Sequence, residues 1–476
     1  MQPDCVVVFD VGKTLAKLSL YDASGACVCE RRRYNARVEG HQRLWLDTEG
    51  IDEWAARVLA EFSKLGRIGA IVPVAHGAAA AVIRNGRLAH PVSDYEDEVL
   101  PGLRAPYDLA RDPFELTGSP VLPGGLNLGV QLWRLEREWP QFNAAGTSIV
   151  PWPQYWAWRL SGVLASEVTS LGCHTDLWRP FEQGPSALAR TRGWWDRFAP
   201  LRAADEVLGE LTGEWVARTG LSKNVRVYCG VHDSNAALHG VRALRGLAGR
   251  DVTVLSTGTW FVVMRAPHPG ARFDMKEIPA GRDCLVNVDV AGEAVPSARF
   301  MGGREIELMA TGDLFTQTWS EGVLSELVAA KVMALPTWTR GVGPYPEAPG
   351  KWCGKPRTLE ASAVAAALYL ALMVDCCLDL VKAEGALVVE GRFAAAEIFV
   401  RALAALRPQM SLYVERGAAD GLIHGALRLF TPDVPCAGNL THVLPLPCDL
   451  SDYKAQWRGR AQAAQPQVSA YSAYAH

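Results

Sequence analysis

The sequence predicts an α/β protein made of two related lobes, each a mixed sheet with helices packed on it. Three observations carry this. Residues 5–9 (Cys-Val-Val-Val-Phe) form a continuous apolar, mostly β-branched run, the pattern of a strand buried on both faces. Short turns and further strand-like runs follow, then a segment with helical spacing of apolar residues, then another strand. From residue 252 the opening logic repeats as a strand, a tight turn of glycine and threonine, and a strand.

The elements follow in order. Asp10-Val11-Gly12-Lys13-Thr14 breaks the first strand, residues 15–21 alternate, and Asp22-Ala23-Ser24-Gly25 turns the chain again. With residues 26–30 as a third strand, this is an antiparallel meander closed by the solvated Arg31-Arg32-Arg33. Residues 51–65 are helical, and residues 68–74 form a strand ending at His76-Gly77. Residues 225–229 and 252–255 are short strands with a helical stretch, 236–247, between them. The repeat suggests two domains, 1–242 and 243–476, with a boundary near Ala243. In the second, residues 387–389 are a strand, Glu390-Gly391-Arg392 a turn and 394–406 a helix. The apolar stretch 361–374, bounded by Glu360 and Asp375, is too short for a membrane span and reads as a buried helix. The tail after Arg460 is expected to be poorly ordered.

Composition narrows the function classes. The chain has 476 residues, 49% of them hydrophobic, enough for large cores in two or three domains. A formal net charge of −3 gives no general attraction to nucleic acid or to an acidic membrane. The eleven cysteines are scattered without a C-x-x-C pair, which argues against a zinc site and fits the reduced thiols of a cytoplasmic protein. No basic stretch leads into a long apolar run at the N-terminus, so no signal peptide is expected.

Several segments have the residues for chemistry. In the turn from Asp10 to Thr14, backbone N–H groups around Gly12 can hold phosphate oxygens, Lys13 and Thr14 add a charge and a hydroxyl, and Asp10 can hold a hydrated Mg²⁺. The same turn also reads as an ordinary hairpin. Ser256-Thr257-Gly258-Thr259 offers equivalent hardware. Asp233, in Gly230-Val231-His232-Asp233-Ser234-Asn235, sits where a strand gives way to a helix and can accept a proton from a substrate hydroxyl; a helix N-cap is the other reading. His76-Gly77 with Tyr95-Glu96-Asp97 offers the polar and aromatic mixture that suits a polyol, although a structural histidine fits as well. The tryptophans, including Trp152, Trp156, Trp158 and the Trp194-Trp195 pair, belong first to cores. Glu390 to Phe393 can meet a nucleotide at a helix N-terminus, or be an ordinary strand-to-helix turn.

Taken together, residues 5–430 resemble the FGGY carbohydrate kinases of the actin, hexokinase and heat-shock chaperone superfamily. The resemblance is strongest at Asp10-Val11-Gly12-Lys13-Thr14, at the stretch starting with His232, and at Ser256-Thr257-Gly258-Thr259-Trp260. Within the family the chain looks most like the rhamnulokinase and fuculokinase branch. Tyr95-Glu96-Asp97 stands for that branch's Tyr-Arg-Asp, residues 127–132 resemble its Asn-Thr-Leu-Tyr-Gln-Leu, residues 167–177 resemble its Glu-x-Thr-x-Ala-Ser-Thr segment, and Trp260 follows Gly-Thr as is typical there. The departures are Lys13 for a small or hydroxyl residue, Glu390-Gly391-Arg392-Phe393 for a glycine triplet, and Glu96 for the central arginine.

The resemblance implies an α/β fold of two RNase H-like (actin-like ATPase) domains, each a mixed five-stranded sheet flanked by helices, around a deep cleft. It implies a cytoplasmic enzyme, monomer or homodimer, that uses ATP and Mg²⁺ on a small sugar and has no nucleic-acid or membrane partner. Asp233 would be the general base, with Asp10 and Asp233 near the metal. Gly12, Lys13, Thr14, Thr257, Gly258 and Thr259 would hold phosphates, and Gly391, Arg392 and Phe393 would border the adenosine. His76, Gly77, Tyr95, Asp97, His232 and Asp233 would meet the sugar. The expected acceptor is a 6-deoxyketose such as L-rhamnulose or L-fuculose. Rival readings are a pentulose or polyol kinase, a non-catalytic sugar sensor and a chaperone-like ATPase.

Overall fold

The computed structural model describes residues 4–465 apart from 41–42, 243, 245–246, 248, 269–270, 272, 310–313, 316–317, 416–420 and 432–439. The chain forms two compact units. The first holds Met1–Gly246 with Leu285–Val295 and Ala418–Ala437; the second holds Leu247–Cys284, Pro296–Gly417 and Gly438–His476. Two stretches from the latter half of the sequence thus return to the first unit. Ala243 lies outside the described residues.

In the first unit the strand Cys5–Val11 pairs antiparallel with Leu15–Tyr21, which pairs antiparallel with Cys27–Tyr34. On its other side Cys5–Val11 runs parallel to Ile68–Ala75, followed by Arg226–Tyr228 and Val207–Glu210, while Val231–His232 also pairs with Ile68–Ala75. The third strand runs on through Arg31–Arg33 to Tyr34 instead of stopping before the arginines. The apolar run of the first strand feeds two cores by simple alternation. Val7 and Phe9 pack with Ile51, Ala55, Val58, Leu59 and Phe62 of the helix Thr48–Phe62. Val6 and Val8 pack with Ala236 and with Ile423, Ala426 and Leu427.

Those last residues belong to the helices Asp233–Arg242 and Gly421–Phe430, which cross in very close contact. A Cβ on Gly425 would stand 1.8 Å from the Ala236 carbonyl oxygen, and one on Gly240 would stand 2.3 Å from that of Gly421. Only glycine permits this approach, and it fixes the helix that begins with Asp233. That helix starts at Asp233, three residues before the expected position.

The second unit repeats the plan. The central strands of its sheet run in the order Ala294–Phe300, Phe261–Ala266, Val252–Thr257, Ala386–Gly391, Ser411–Glu415, with the first two pairings antiparallel and the last two parallel. The echo of residue 5 at residue 252 is therefore a repeat of topology. Each sheet has seven strands where five were expected. The five-stranded order is intact in both, and short strands such as Val207–Glu210 and Leu440–His442 extend its edges.

The apolar stretch 361–374 lies in a longer helix, Leu359–Leu380, whose 22 residues are enough by length and composition to cross a membrane, yet 89% of its apolar window is buried inside the protein. Asp375 does not end this helix, because its buried carboxylate is held by Arg407, Lys454 and Arg458. The latter two lie on the helix Ser451–Ala464, which runs past Arg460, where disorder was expected, as far as Ala464; Trp457 and Ala461 are fully buried and fasten it down. Residues 466–476 lie outside the described residues.

Gly425→Ala is expected to lower the unfolding free energy by about 1–3 kcal/mol through overpacking at the helix crossing. Urea denaturation followed by circular dichroism measures this, and an unchanged midpoint would contradict the close approach.

Candidate active site

Strand register builds the first-unit site. Asp10 lies opposite Val74, and Val11 opposite Ala75. From the other side Val231 lies opposite Val74, and His232 opposite Ala75. Three parallel strands therefore end at one level, and the residues just beyond them, His76 and Asp233, share that edge with Asp10. Carboxyl ends of parallel strands are where ligands gather in α/β proteins, because the chain leaves the sheet there and opens a crevice.

The turn after the first strand is pinned by Asn35, whose side-chain amide donates to the Gly12 carbonyl at 2.8 Å and whose backbone N–H donates to that of Thr14 at 2.8 Å. Asp10 is buried and paired with Lys17 at 3.0 Å. Lys13 forms an ion pair with the buried Asp94, and its ammonium lies 5.2 Å from the centre of the Tyr95 ring. Its charge is thus answered within the unit, which the sequence did not indicate.

His76 is buried edge-on to Tyr95, with ring centres 5.6 Å apart, and also faces Trp152. Its Nδ1 lies 2.8 Å from the Gly77 carbonyl. Burial depresses its pKa to about 4, with smaller influences from the charges of Asp233, Lys13 and Asp94, so the ring is neutral at physiological pH. A cavity of about 120 Å³ opens beside it. Lys13, Asn35, Asp47, His76 and Glu96 supply polar groups to its lining; Val11, Leu46, Ile51 and Trp152 supply apolar ones.

Two expected sugar contacts have partners within the protein. Asp97 is buried, with one oxygen bound by Arg43 at 2.6 Å and Arg134 at 2.8 Å and the other accepting from the Leu44 N–H at 3.2 Å. It fastens its loop, and its neighbour Glu96 lines the cavity. Gly77 faces His232 and Cys173: a Cβ there would stand 2.9 Å from His232 Nε2 and 3.2 Å from Cys173 Sγ.

Asp233 itself is half-buried, with Oδ1 3.2 Å from His232 Nε2 and accepting from the Ser234 N–H at 2.6 Å. Burial would suppress the charge on both His232 and Cys173, but each is charged by the other's presence. The thiol is drawn down by His174 and His232, and the imidazole is raised by Cys173 and Asp233. Below them, burial raises the Glu167 carboxyl to about 7, against hydrogen bonds from Thr169 and Ser170 that favour its charge. Residue spacing gave no sign of the Cys173–His232 contact, because the partners lie 59 positions apart.

In the second unit, Thr257 and Gly391 end neighbouring parallel strands. Gly391 has φ of +79°, and a Cβ there would stand 2.2 Å from the Thr257 carbonyl oxygen, so the loop needs glycine. The Thr257 hydroxyl is engaged locally, donating to the Glu390 carbonyl at 2.5 Å and accepting from the Phe393 N–H at 3.0 Å. The Phe393 ring belongs to the core, packed against Phe261 and Phe399, and does not present a surface to a ligand. Gly391, Arg392 and Thr259 are exposed, and the space over Gly258 is open, with nothing nearer than 3.9 Å to a Cβ built there. Accessible backbone with a hydroxyl and a guanidinium fits an anionic phosphate chain. Among the described residues no group of three or more His, Cys, Asp or Glu side chains could hold a metal.

Residues 249–437 match the family described as carbohydrate kinase FGGY, C-terminal domain. Among solved structures, a carbohydrate kinase from Novosphingobium aromaticivorans is 43% identical over 98% of this chain and 100% of that one, with a TM-score of 0.91. A xylulose kinase from Lactobacillus acidophilus is 14% identical over 97% of each chain (TM-score 0.76). A glycerol kinase from Plasmodium falciparum, solved with ADP, is 11% identical over 98% of this chain and 99% of that one (TM-score 0.77). The last two bear on the fold alone. No curated protein sequence matches the chain significantly.

Lys13→Ala leaves Asp94, 1% exposed, without its cation. A loss of about 3 kcal/mol of unfolding free energy is expected, most of it recovered in Lys13→Ala/Asp94→Asn. Equal stability of the single and double variants would show that the pair does not hold the turn.

Proposed function

Because the chain belongs to the FGGY carbohydrate kinase family, we propose that it transfers the γ-phosphoryl group of ATP to a hydroxyl of a small ketose, with Asp233 as the general base. The observation that carries this reading is the common level at which three parallel strands deliver Asp10, His76 and Asp233. A carboxylate on a fixed helix start, at the same strand-end edge as a neutral imidazole that lines a cavity, suits a polyol whose hydroxyl must lose a proton.

Each group has a part. Asp233 accepts the proton of the attacking hydroxyl, with His232 holding one of its oxygens. His76 accepts or donates a hydrogen bond to the sugar as a neutral ring, and Tyr95 offers its polar edge. Asp10 would hold Mg²⁺. In the first unit Gly12 and Thr14 would hold phosphate oxygens; in the second unit Gly258, Thr259, Gly391 and Arg392 would hold ATP. Bound together, Mg²⁺ and ATP supply the phosphoryl group and neutralise its charge. The family's positioning chemistry needs no covalent step by the protein.

The cavity supports a particular kind of acceptor. Its apolar lining of Val11, Leu46, Ile51 and Trp152 lies against a polar set, a division that suits a sugar with a methyl end and a hydroxylated end. This favours a 6-deoxyketose such as L-rhamnulose or L-fuculose over a pentulose or polyol. The reading includes a cytoplasmic enzyme.

Coupled ADP release with Mg-ATP across L-rhamnulose, L-fuculose, the xyluloses, the ribuloses, D-gluconate and glycerol is expected to be fastest with a 6-deoxyketose. Asp233→Asn is expected to lose about 10²–10⁴-fold in kcat while still binding the sugar. Fastest turnover of a pentulose would overturn the acceptor assignment, and an active Asp233→Asn would overturn the base.

A further inference from the structure

The segment from Glu167 to Asp176 lies beside Asp233, yet the proposed reaction uses none of its side chains. It is tightly determined. Glu167 is fully buried and accepts from the Thr169 hydroxyl at 2.5 Å; the same hydroxyl oxygen accepts from the His232 N–H at 3.1 Å. His174 and Asp176 hold φ of +39° and +65°, a left-handed conformation that non-glycine residues adopt at a cost. The neighbours hold them there: His174 Nδ1 lies 2.6 Å from the Leu126 carbonyl, and Asp176 is paired with Arg111 at 2.8 Å.

The residue this segment presents is Cys173. Its sulfur lies 3.4 Å from His232 Nε2, and both side chains are buried. The other ring nitrogen, Nδ1, lies 3.1 Å from the Asn235 side-chain amide; in the charged ring both nitrogens carry a proton, Nε2 among them. That Nε2–H stands between Cys173 Sγ and Asp233 Oδ1. Gly77 closes the remaining side, with no room for a Cβ against either group. The imidazole is thus gripped at both nitrogens and along one face.

We propose that Cys173 is a positioning residue, fixing the His232 ring so that its Nε2–H holds the Asp233 carboxylate in one orientation for proton abstraction. The proposal rests on the reading of Asp233 as the base. Cys173 touches neither substrate nor metal in this account and acts only through His232. Misplacement of a reacting group by about 1 Å can cost about 100-fold in rate, so the effect belongs in kcat.

Cys173→Val, close in volume but unable to hydrogen-bond, and Cys173→Ala, which cannot overpack, are compared with Cys173→Ser, which restores a donor and acceptor. The sugar is whichever member of the panel above the unaltered enzyme phosphorylates fastest. Thermal melts show that each variant is folded. The valine and alanine variants are expected to lose about 10–100-fold in kcat with sugar KM within about 2-fold, and serine is expected to recover most of the loss. Unchanged kcat in either apolar variant, or a loss confined to KM, would overturn the proposal. If Asp233→Asn stays active, or no sugar turns over, the base reading fails and the crystal structure of Cys173→Ala decides the positioning claim alone. A His232 Nε2 to Asp233 Oδ1 distance beyond hydrogen-bonding range supports it, and an unchanged 3.2 Å overturns it.

Discussion

The first unit depends on the parallel pairing of Ile68–Ala75 with Cys5–Val11 on one side and Val231–His232 on the other. Register in a sheet is all-or-none, because a slip by one residue turns every side chain to the opposite face. Here the register is locked by the alternation of Val6, Val7, Val8 and Phe9 between two cores, each buried to 2% exposure or less. The placement of Asp10, His76 and Asp233 at one edge follows from that lock, and the glycine crossing holds the helix that Asp233 begins.

Around this edge the charges are mostly answered inside the protein. Lys13 meets Asp94, Lys17 meets Asp10, and Asp97 meets Arg43 and Arg134. A buried ion pair is weak evidence of net stability but strong evidence of fixed geometry, since either partner alone would be costly. The loops around the cavity are therefore held by ion pairs, and the neutral His76 and the exposed Thr14 line it.

The strands and turns were legible in the sequence because they are written locally. The valine run, the glycine turns and the repeat at Val252 are visible within windows of a few residues. The helix starting at Asp233 was legible as a strand-to-helix change, although its start was not, because Asp233, Ser234 and Asn235 also favour caps and turns. What sequence could not show is pairing across distance. Asp97 looked like a sugar ligand until its arginines were located, 54 and 37 positions away. Phe393 looked like part of a nucleotide loop until its ring was found among phenylalanines. The helix Leu359–Leu380 ran past Asp375 because three cations from elsewhere in the chain answer that carboxylate.

The central claim is that the common strand-end edge of the first unit is where the acceptor sugar is activated. A crystal structure with the sugar that supports ADP release tests it most directly. The account predicts the sugar in the cavity beside His76 and Trp152, with its reacting hydroxyl within hydrogen-bonding distance of the Asp233 carboxylate. A sugar bound away from this edge, or one whose hydroxyls all lie beyond reach of Asp233, would contradict it.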